Sequence, residues 1–581
     1  MNFKRRALNL SAIGAVLLLL VSLEVKAEDK TVGLMINDTT KSFDGYTLFS
    51  PNFYTTTYLI DNNGELINSW PSAYVPGLSS YLLDNGKLLR AGRLSDNHFS
   101  LAGGAGGVVQ LINWDGTVHW EYHYADSAHQ SHHDVRMLPN GNILMIAWEL
   151  KTRKEAMDAG RDSTLLISGE LWPEHVIEVQ PVDQDSGVIV WEWHVWDHLI
   201  QDIDSTKPNY GVVADHPELI NINFIGLEST AAADWIHLNS IDYNQELDQI
   251  VVSSREFDEI WIIDHGTTTL EAAGHAGGLR GRGGDLLFRW GNPYAYNRGT
   301  MDNHVYFGQH NANWIADSLS GAADIMVFNN GLGRDEGNYS SIDQITPAFD
   351  TASGTYQFNS DSTYMPSAMA WTYISNPVDS FFSPYISGAT RQPNGNTLIC
   401  SGWGGTFFEV TPGGETVWEY INPVIISGPM TQGDTIPGIG FYDGKLNMVF
   451  RIYRYALNYP GLLGQDLTPQ GPIEIYPSGI AYDYPKTVLK DFVLHQNMPN
   501  PFSNITKIKY QLSVPGQVKL KIYNLLGQTV KTLCDEYKNA GMYDVSWDGT
   551  DANGNKVANN IMFYRLECNG KTEYRRMILV K

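Results

Sequence analysis

Cysteine is nearly absent: the 581 residues hold three, Cys400, Cys534 and Cys568. That excludes a disulfide framework as what holds the chain together, although Cys534 and Cys568 share the last stretch of sequence and could pair. The histidines and cysteines show no zinc-type spacing, so no metal site is expected. Positive charge is scarce, with 39 Lys and Arg against 64 Asp and Glu and a formal net charge of −25. Such an acidic surface repels phosphate backbones and excludes nucleic acid as a partner class. A small anion is still acceptable where a pocket gathers positive charge locally. No Walker-type phosphate loop occurs. Long apolar runs are missing after Ala12 to Leu23, so no later helix is expected to cross a membrane.

That one run follows Lys4, Arg5 and Arg6 and precedes Val25-Lys26-Ala27. A basic start, a short apolar stretch and small residues at −3 and −1 form a signal-peptide pattern with cleavage after Ala27. An uncleaved N-terminal anchor is the alternative. Removing residues 1–27 leaves the chain still more acidic.

What the chain has in quantity is Gly, Asn, Asp, Tyr and Trp, with 55 glycines, 31 tyrosines and 16 tryptophans. These favour strands and tight turns over long helices, and the length calls for at least two domains. Two hairpin signals repeat. The first is a turn, a strand and a closing aromatic: Asn63-Gly64 to Trp70, Asp115-Gly116 to Trp120, Ser186-Gly187 to Trp191, Gly284-Asp285 to Trp290, and Gly414 to Trp418. The second is a strand, an Asn-Gly turn and a strand, at Asn85-Gly86, Asn140-Gly141 and Asn394-Gly395, with a degenerate copy at Asn244-Gln245. Asn-Gly between apolar residues predicts a two-residue hairpin with both turn residues at positive φ. A four-stranded unit repeated five or six times with an aromatic at a set place predicts an all-β fold, a β-propeller. The irregular spacing of the tryptophans is assigned to long loops, which gather at one face of such folds. A β-helix or a pair of sandwiches is the alternative.

Aligned on the Asn-Gly turn, the repeats share a column holding His133, His237 and His310, with Ser387 in the last copy. A lone loop histidine is ordinarily a satisfied structural residue. Three in one column predict convergence near the propeller axis.

These residues resemble the bacterial aryl-sulfate sulfotransferases, six-bladed propellers that move sulfate between phenols. The resemblance covers roughly residues 80 to 470. It is carried by Asp234-Trp235-Ile236-His237-Leu238-Asn239-Ser240, Ser253-Ser254-Arg255-Glu256, Gly308-Gln309-His310, Val327-Phe328-Asn329-Asn330-Gly331, Ser383-Pro384, Pro393-Asn394-Gly395-Asn396 and Val449 to Tyr455. It implies transfer from a phenolic sulfate ester to a phenolic acceptor, with no nucleotide donor and no cofactor. It makes His237 and His310 the acid–base or sulfate-binding candidates and Arg334 the candidate clamp, with Arg255 and Arg454 as the alternatives for that role. His133, Asn239, Arg255, Asn330 and Arg454 are the candidate substrate-binding residues. The chemistry suits these types: cationic donors stabilise charge on sulfuryl oxygens, and imidazole can hold a proton or carry the group covalently near neutral pH. The family's sulfate-carrying histidine falls shortly before the Ser-Pro step. Here Asp379-Ser380-Phe381-Phe382 stands there, and no histidine occurs between His310 and His495. Either another residue such as His133 carries the group, or the chain does not perform the full transfer. A non-catalytic propeller binding a sulfated or glycosidic ligand, and a hydrolase or lyase using His237 and His310, are the competing readings.

The expected organisation is a signal peptide over 1–27, a propeller over 28–465, a Pro-, Gly- and Tyr-rich linker over 466–490, and a small immunoglobulin-like β-sandwich over 491–581. In the last segment Ile508, Tyr510 and Leu512 alternate with Lys507, Lys509 and Gln511, and Val518, Leu520 and Ile522 repeat the pattern. Asp548 to Asn555 is a turn rather than a calcium loop, because Gly549 stands where the first ligand would be. The segment, ending Arg576-Met577-Ile578-Leu579-Val580-Lys581, resembles the C-terminal sorting domain of the type IX secretion apparatus. That resemblance implies export through the outer membrane, to a secreted or cell-surface location.

Overall fold

The computed structural model describes residues 30–94, 97–99, 102–226, 232–440, 442–477, 492–512, 515–524, 527–539, 541–558, 560–569 and 571–580. The signal-peptide reading of residues 1–27 lies outside them. Two compact units divide at residues 481 and 482.

The first unit is built from six antiparallel sheets of four or more strands. Their inner strands are Val449–Ala456, Pro76–Leu82, His129–Met137, Leu238–Asn244, His310–Trp314 and Gly388–Arg391. Each inner strand packs against the next, and Gly388–Arg391 packs back against Val449–Ala456. This is the arrangement of a β-propeller. The first sheet takes its inner strand from the C-terminal end of the unit and the other three from Gly45–Pro51, Thr56–Ile60 and Leu66–Pro71. The last sheet takes Gly33–Asn37 as an extra outer strand, paired with Thr416–Ile421. Strands from near both ends of this unit are thus hydrogen-bonded into the two sheets that meet at the closure.

The repeated aromatic has a structural reason. The indole of each closing tryptophan donates to the following sheet or its excursion: Trp70 Nε1 to Asn113 O at 3.1 Å, Trp120 to Ser186 O at 2.8 Å, Trp191 to Thr267 Oγ1 at 3.0 Å, and Trp290 to Pro366 O at 2.7 Å. Trp418, on the last sheet, donates to Asn62 O of the first at 2.9 Å. In the fifth sheet Tyr373 stands in this place and packs at a tilt against Phe408 of the sixth, ring centres 6.3 Å apart.

The Asn-Gly turns fall where expected, but only the glycine adopts positive φ, at +78° for Gly86, +87° for Gly141 and +88° for Gly395. Leu83 N donates to Lys87 O and Gly86 N to Leu83 O, which is a type I turn followed by a glycine bulge. Asn85 instead uses its side chain, accepting from Lys87 N at 3.0 Å. The expected linker also begins later than residue 466. Gln470 N donates to Leu66 O and Leu66 N to Gly471 O, because the open edge of the first sheet offers unpaired backbone groups, and Ile475 N donates to Met430 O beyond the short hairpin Val424–Pro429.

The second unit is a sandwich of a three-stranded sheet (Phe492–Leu494, Thr506–Leu512, Gly541–Trp547) and a four-stranded one (Thr529–Lys538, Gly516–Tyr523, Asn560–Cys568, Lys571–Leu579). Ile508, Tyr510, Leu520, Ile522, Trp547 and Tyr564 lie in its core. Cys534 and Cys568 are both buried and not joined by a disulfide. They pair with Leu520 and Val518 on opposite sides of one strand, so two ladder spacings of about 4.8 Å each separate their strands, beyond disulfide reach. Asp551 Oδ1 accepts from Asn553 N and Asn555 N at 2.9 and 2.8 Å, capping its own turn.

Replacing Trp418 by Phe removes the indole donor from Asn62 O and leaves that carbonyl with the Asn37 Nδ2 donor alone. Urea unfolding is expected to show a loss of about 0.5–1.5 kcal/mol for Trp418→Phe and about 3–5 kcal/mol for Trp418→Ala. A loss under half a kilocalorie in both would contradict the closing role.

Candidate active site

An inner strand can present a side chain along the axis only if its pleat is interrupted, since regular alternation sends residues to the two sheet faces. The register of Pro76–Leu82, His129–Met137, Leu238–Asn244 and His310–Trp314 is broken near its first residues by a bulge. At these breaks a non-glycine residue takes positive φ: Leu78 at +100°, His133 at +49°, His237 just before its strand at +54°, and Asn311 at +54°. Ser387, before the sixth inner strand, has +89°. The histidine column is therefore a column of left-handed residues, a conformation rare for side chains with a Cβ and concentrated at functional sites. His310 sits one residue before it, and Asn311 holds the position itself.

The first imidazoles meet. The rings of His133 and His237 lie 4.6 Å apart, centre to centre. Phe450 flanks His133 at 5.9 Å and His310 at 6.5 Å. Gly104 is required beside them, because a Cβ there would stand 1.9 Å from His133 Cε1.

Each ring is fixed through Nδ1. His237 Nδ1 donates to Asp234 Oδ2 at 2.6 Å, and Trp148 Nε1 donates to Asp234 Oδ1 at 3.0 Å. His310 Nδ1 donates to Asn330 Oδ1 at 2.8 Å, while Asn330 Nδ2 donates to Ser383 O and Ile386 O. His133 Nδ1 lies 2.9 Å from His132 Nδ1, and His132 Nε2 lies 2.6 Å from Glu174 Oε2. Glu174 Oε1 accepts from Leu238 N at 2.8 Å. His132 stacks on Trp148 at 3.9 Å. Glu174 and His132 were missed from the sequence. The doublet His132-His133 was the only local signal, and Glu174 arrives from a strand that sequence spacing does not connect to it.

The chain Glu174–His132–His133 admits two proton arrangements. With Glu174 ionised, His132 donates from Nε2 and accepts at Nδ1, so His133 donates from Nδ1 and Nε2 keeps its lone pair. With one more proton, every bond reverses, Glu174 becomes the acid and His133 Nε2 carries hydrogen. Burial, reinforced by the charge of Asp234, pushes the Glu174 carboxyl well above the usual range. Burial holds His132 down at about 3, and burial with the neighbouring His237 charge holds His133 well below ordinary imidazole. A positive charge on these two rings is thus disfavoured, and Glu174 is the place where an extra proton comes to rest.

His237 behaves oppositely. Burial pulls it down, but the Asp234 carboxylate outweighs burial and holds its pKa above the ordinary value. For His310, burial and the Arg255 guanidinium push it well below. Arg255 is the cation of the cluster. Its backbone N–H donates to His237 O at 3.2 Å, its guanidinium pairs with Glu256 and lies over the Tyr385 ring at 5.3 Å. Tyr385 in turn packs against Trp403 at 5.1 Å and Tyr442 at 6.3 Å, an aromatic surface beside the cation.

The other expected residues fall elsewhere. Arg334 donates to Ser341 Oγ at 2.9 Å and stacks on Tyr339 and Phe307. Its contacts are with these side chains rather than with the imidazoles. Arg454 is a correction: it is buried against Glu409, bonds Thr47 Oγ1 at 2.9 Å, and lies over Trp418 at 4.2 Å. It locks the last sheet to the first, because strand alternation turns it toward the neighbouring sheet. Arg451, three residues earlier, faces the axis, where it pairs with Asp134 and donates to Asn239 O. It also borders a cavity of about 190 Å³ with Tyr81, Arg136, Trp314, Arg391 and Tyr453. Asn239 donates to Gln309 O at 2.7 Å, tying two inner strands, and its Oδ1 has no partner.

Comparison with known proteins adds to this geometry. The family model described as Arylsulfotransferase (ASST) matches residues 31–426, more than half of the chain, and FlgD Ig-like domain matches 503–567. No curated protein matches. Similar solved structures include a protein of unknown function from Bacteroides caccae, 12% identical, covering 71% of this chain and 99% of its own, with a TM-score of 0.37. Virginiamycin B lyase from Staphylococcus aureus is 10% identical, over 69% of this chain and 87% of its own, at a TM-score of 0.31. FlgD from P. aeruginosa is 20% identical, over 16% of this chain and 75% of its own, at 0.12.

The raised pKa of His237 stabilises the fold fully below the unfolded imidazole value, and that contribution is lost as pH rises through the folded value. Asp234→Asn removes it. The variant is expected to lose more thermal stability near about pH 5 than near about pH 9, and its His237 ring should titrate below the ordinary imidazole value by NMR. Equal losses at both pH values would show that the pair does not titrate as described.

Proposed function

The chain belongs to the arylsulfotransferase family, and we propose that it moves a sulfuryl group from an aryl sulfate to a phenol with His133 Nε2 as the carrier. The observation that carries this reading is the buried chain from Glu174 through His132 to His133, which leaves the Nε2 lone pair of His133 for bond formation in the arrangement with Glu174 ionised. The Nε2 lone pair forms a bond to sulfur while the bond from sulfur to the aryl oxygen breaks, its electron pair leaving on that oxygen. His237, held partly protonated by Asp234, gives the leaving oxygen its proton. As Nε2 becomes substituted, the Nδ1 proton of His133 passes to His132 and the Nε2 proton of His132 to Glu174, so no charge accumulates on the buried rings. In the second half, the incoming phenol gives its proton to His237, its oxygen bonds to sulfur, the N–S bond breaks and the protons return. The balance is aryl sulfate plus phenol to phenol plus aryl sulfate, in ping-pong fashion. Arg255 neutralises the sulfuryl oxygens, and the Tyr385–Trp403–Tyr442 surface accepts the aryl ring. Neutral His310, steered by Asn330, offers a second acceptor nitrogen.

This reading also answers for the histidine that is missing ahead of Ser383-Pro384. Ser387 fills the sixth place in the column and bonds Ser383 Oγ at 2.8 Å, so no imidazole stands there. The same gap favours the second reading, a propeller that binds a sulfated ligand without turnover.

The test is transfer from 4-nitrophenyl sulfate to phenol. Wild type should form a sulfate-labelled protein in the absence of acceptor, and His133→Ala should form none and lose about 10³-fold or more in turnover. His237→Ala should still be labelled, slowly. Label retained in His133→Ala would move the carrier elsewhere. No label and no turnover from a folded wild type would leave the binding reading.

Export completes the proposal. The basic-then-apolar start supports passage through the inner membrane, and the C-terminal sandwich, by its resemblance, supports sorting by a type IX apparatus to the outside. Deleting residues 491–581 is expected to leave the protein in the periplasm, as fractionation would read. Undiminished secretion would remove the sorting role.

A further inference from the structure

Among the described residues, one group of side chains beyond the imidazole chain has the chemistry of a metal centre: His198, His275 and Asp285, whose ligand atoms all lie within 4.8 Å of one another. His198 follows the short turn Val195–Asp197 beyond the outer strand of the third sheet. His275 and Asp285 bracket a glycine-rich loop that follows the short helix Thr269–Ala272. The loop is closed on itself, with Gly283 N donating to Gly277 O and Gly284 N to Gly274 O. Gly284 is required there, because a Cβ would stand 2.0 Å from Ala272 O and 2.6 Å from His198 Nε2. Trp193 stacks on His198 at 5.6 Å.

The hydrogen bonding of His198 does not balance for a neutral ring. Its Nε2 lies 2.8 Å from Ala272 O and its Nδ1 2.8 Å from Asp285 Oδ1, and both oxygens are acceptors. A neutral imidazole has one N–H to give. The same Asp285 Oδ1 is also 2.7 Å from His275 Nδ1. The His198 side chain is wholly buried, so no solvent takes part in these contacts.

We infer that His198 Nδ1, His275 Nδ1 and the Asp285 carboxylate bind one divalent transition-metal ion, zinc foremost. The Nε2–H of His198 then donates to Ala272 O, which fixes the tautomer and leaves the Nδ1 lone pair for the metal, the usual outer support of a metal-bound histidine. Two nitrogens and a carboxylate suit zinc better than calcium or magnesium, which take oxygen ligands. The His275 side chain is 61% exposed, so water completes a tetrahedron from the solvent side. Ligand atoms around zinc stand about 3.3 Å apart for bonds of about 2.0 Å, and the exposed loop bearing His275 supplies that small opening. The ion ties the glycine-rich loop to the turn after the third sheet. Sequence spacing hides the site, because His198 is separated from the other two ligands by the first three strands of the fourth sheet.

The full chain, stripped with a chelator and dialysed against zinc chloride, is expected to retain one equivalent of zinc by mass spectrometry and to gain thermal stability. Cobalt in its place should give the intense visible bands of tetrahedral coordination. His275→Ala and Asp285→Asn should lose the equivalent while keeping the wild-type circular dichroism, and His133→Ala should keep it. No stoichiometric zinc in wild type, weak octahedral cobalt bands, zinc retained in His275→Ala, or zinc lost in His133→Ala would each overturn the site.

Discussion

The indole hydrogen bond that five of the six closing strands make to the next sheet is the contact on which the rest of the first unit depends. A four-stranded sheet cannot bury both of its faces alone, and a side-chain donor aimed at a neighbour, at its backbone or in one case at Thr267 Oγ1, fixes the angle between them. Trp70, Trp120, Trp191, Trp290 and Trp418 repeat that bond, and Trp418 makes it across the closure, where Arg454 and Glu409 reinforce it. The inner strands are held by the outer ones. A small rotation of one sheet would separate His133 from His237, which belong to different sheets and stand 4.6 Å apart.

Near the axis the same architecture creates a polar problem and uses it. Bulges turn imidazoles inward, and burial then disfavours any charge on them. Glu174 and Asp234 resolve this in two ways. Asp234 charges its histidine, whereas Glu174 shares a chain of protons that leaves His132 and His133 neutral. Two imidazoles in van der Waals reach thus have opposite proton affinities, the separation that a transfer with a nucleophile and an acid requires.

The fold was legible because its signals are local and repeated. Strand alternation, Asn-Gly turns and a closing aromatic each span a few residues, so four-stranded units and the C-terminal sandwich could be read directly. Turn detail was less legible: Asn85 and its counterparts cap with a side chain instead of taking positive φ, and both options share the same dipeptide. The end of the first unit was misplaced because Gln470 to Ile475 has no periodicity, yet finds partners along an open strand edge and beyond a short hairpin.

The site was legible in its column and not in its partners. His133 and His237 are marked by position in the repeat, because the bulge recurs at one place in the sheet. Glu174, His132, Arg255 and Arg451 acquire meaning only from neighbours brought by other sheets, and Arg454 turns away from Arg451 because residues three apart on a strand lie on opposite faces. By itself the sequence determined the β architecture, the repeat and the imidazole column, since these follow from propensities acting over a few residues. Only the tertiary structure decided which nitrogen of each ring is tied, which arginine meets the histidines, and that His198, His275 and Asp285 converge. Those depend on distances between segments far apart in the chain, and burial and charge act through space rather than along it.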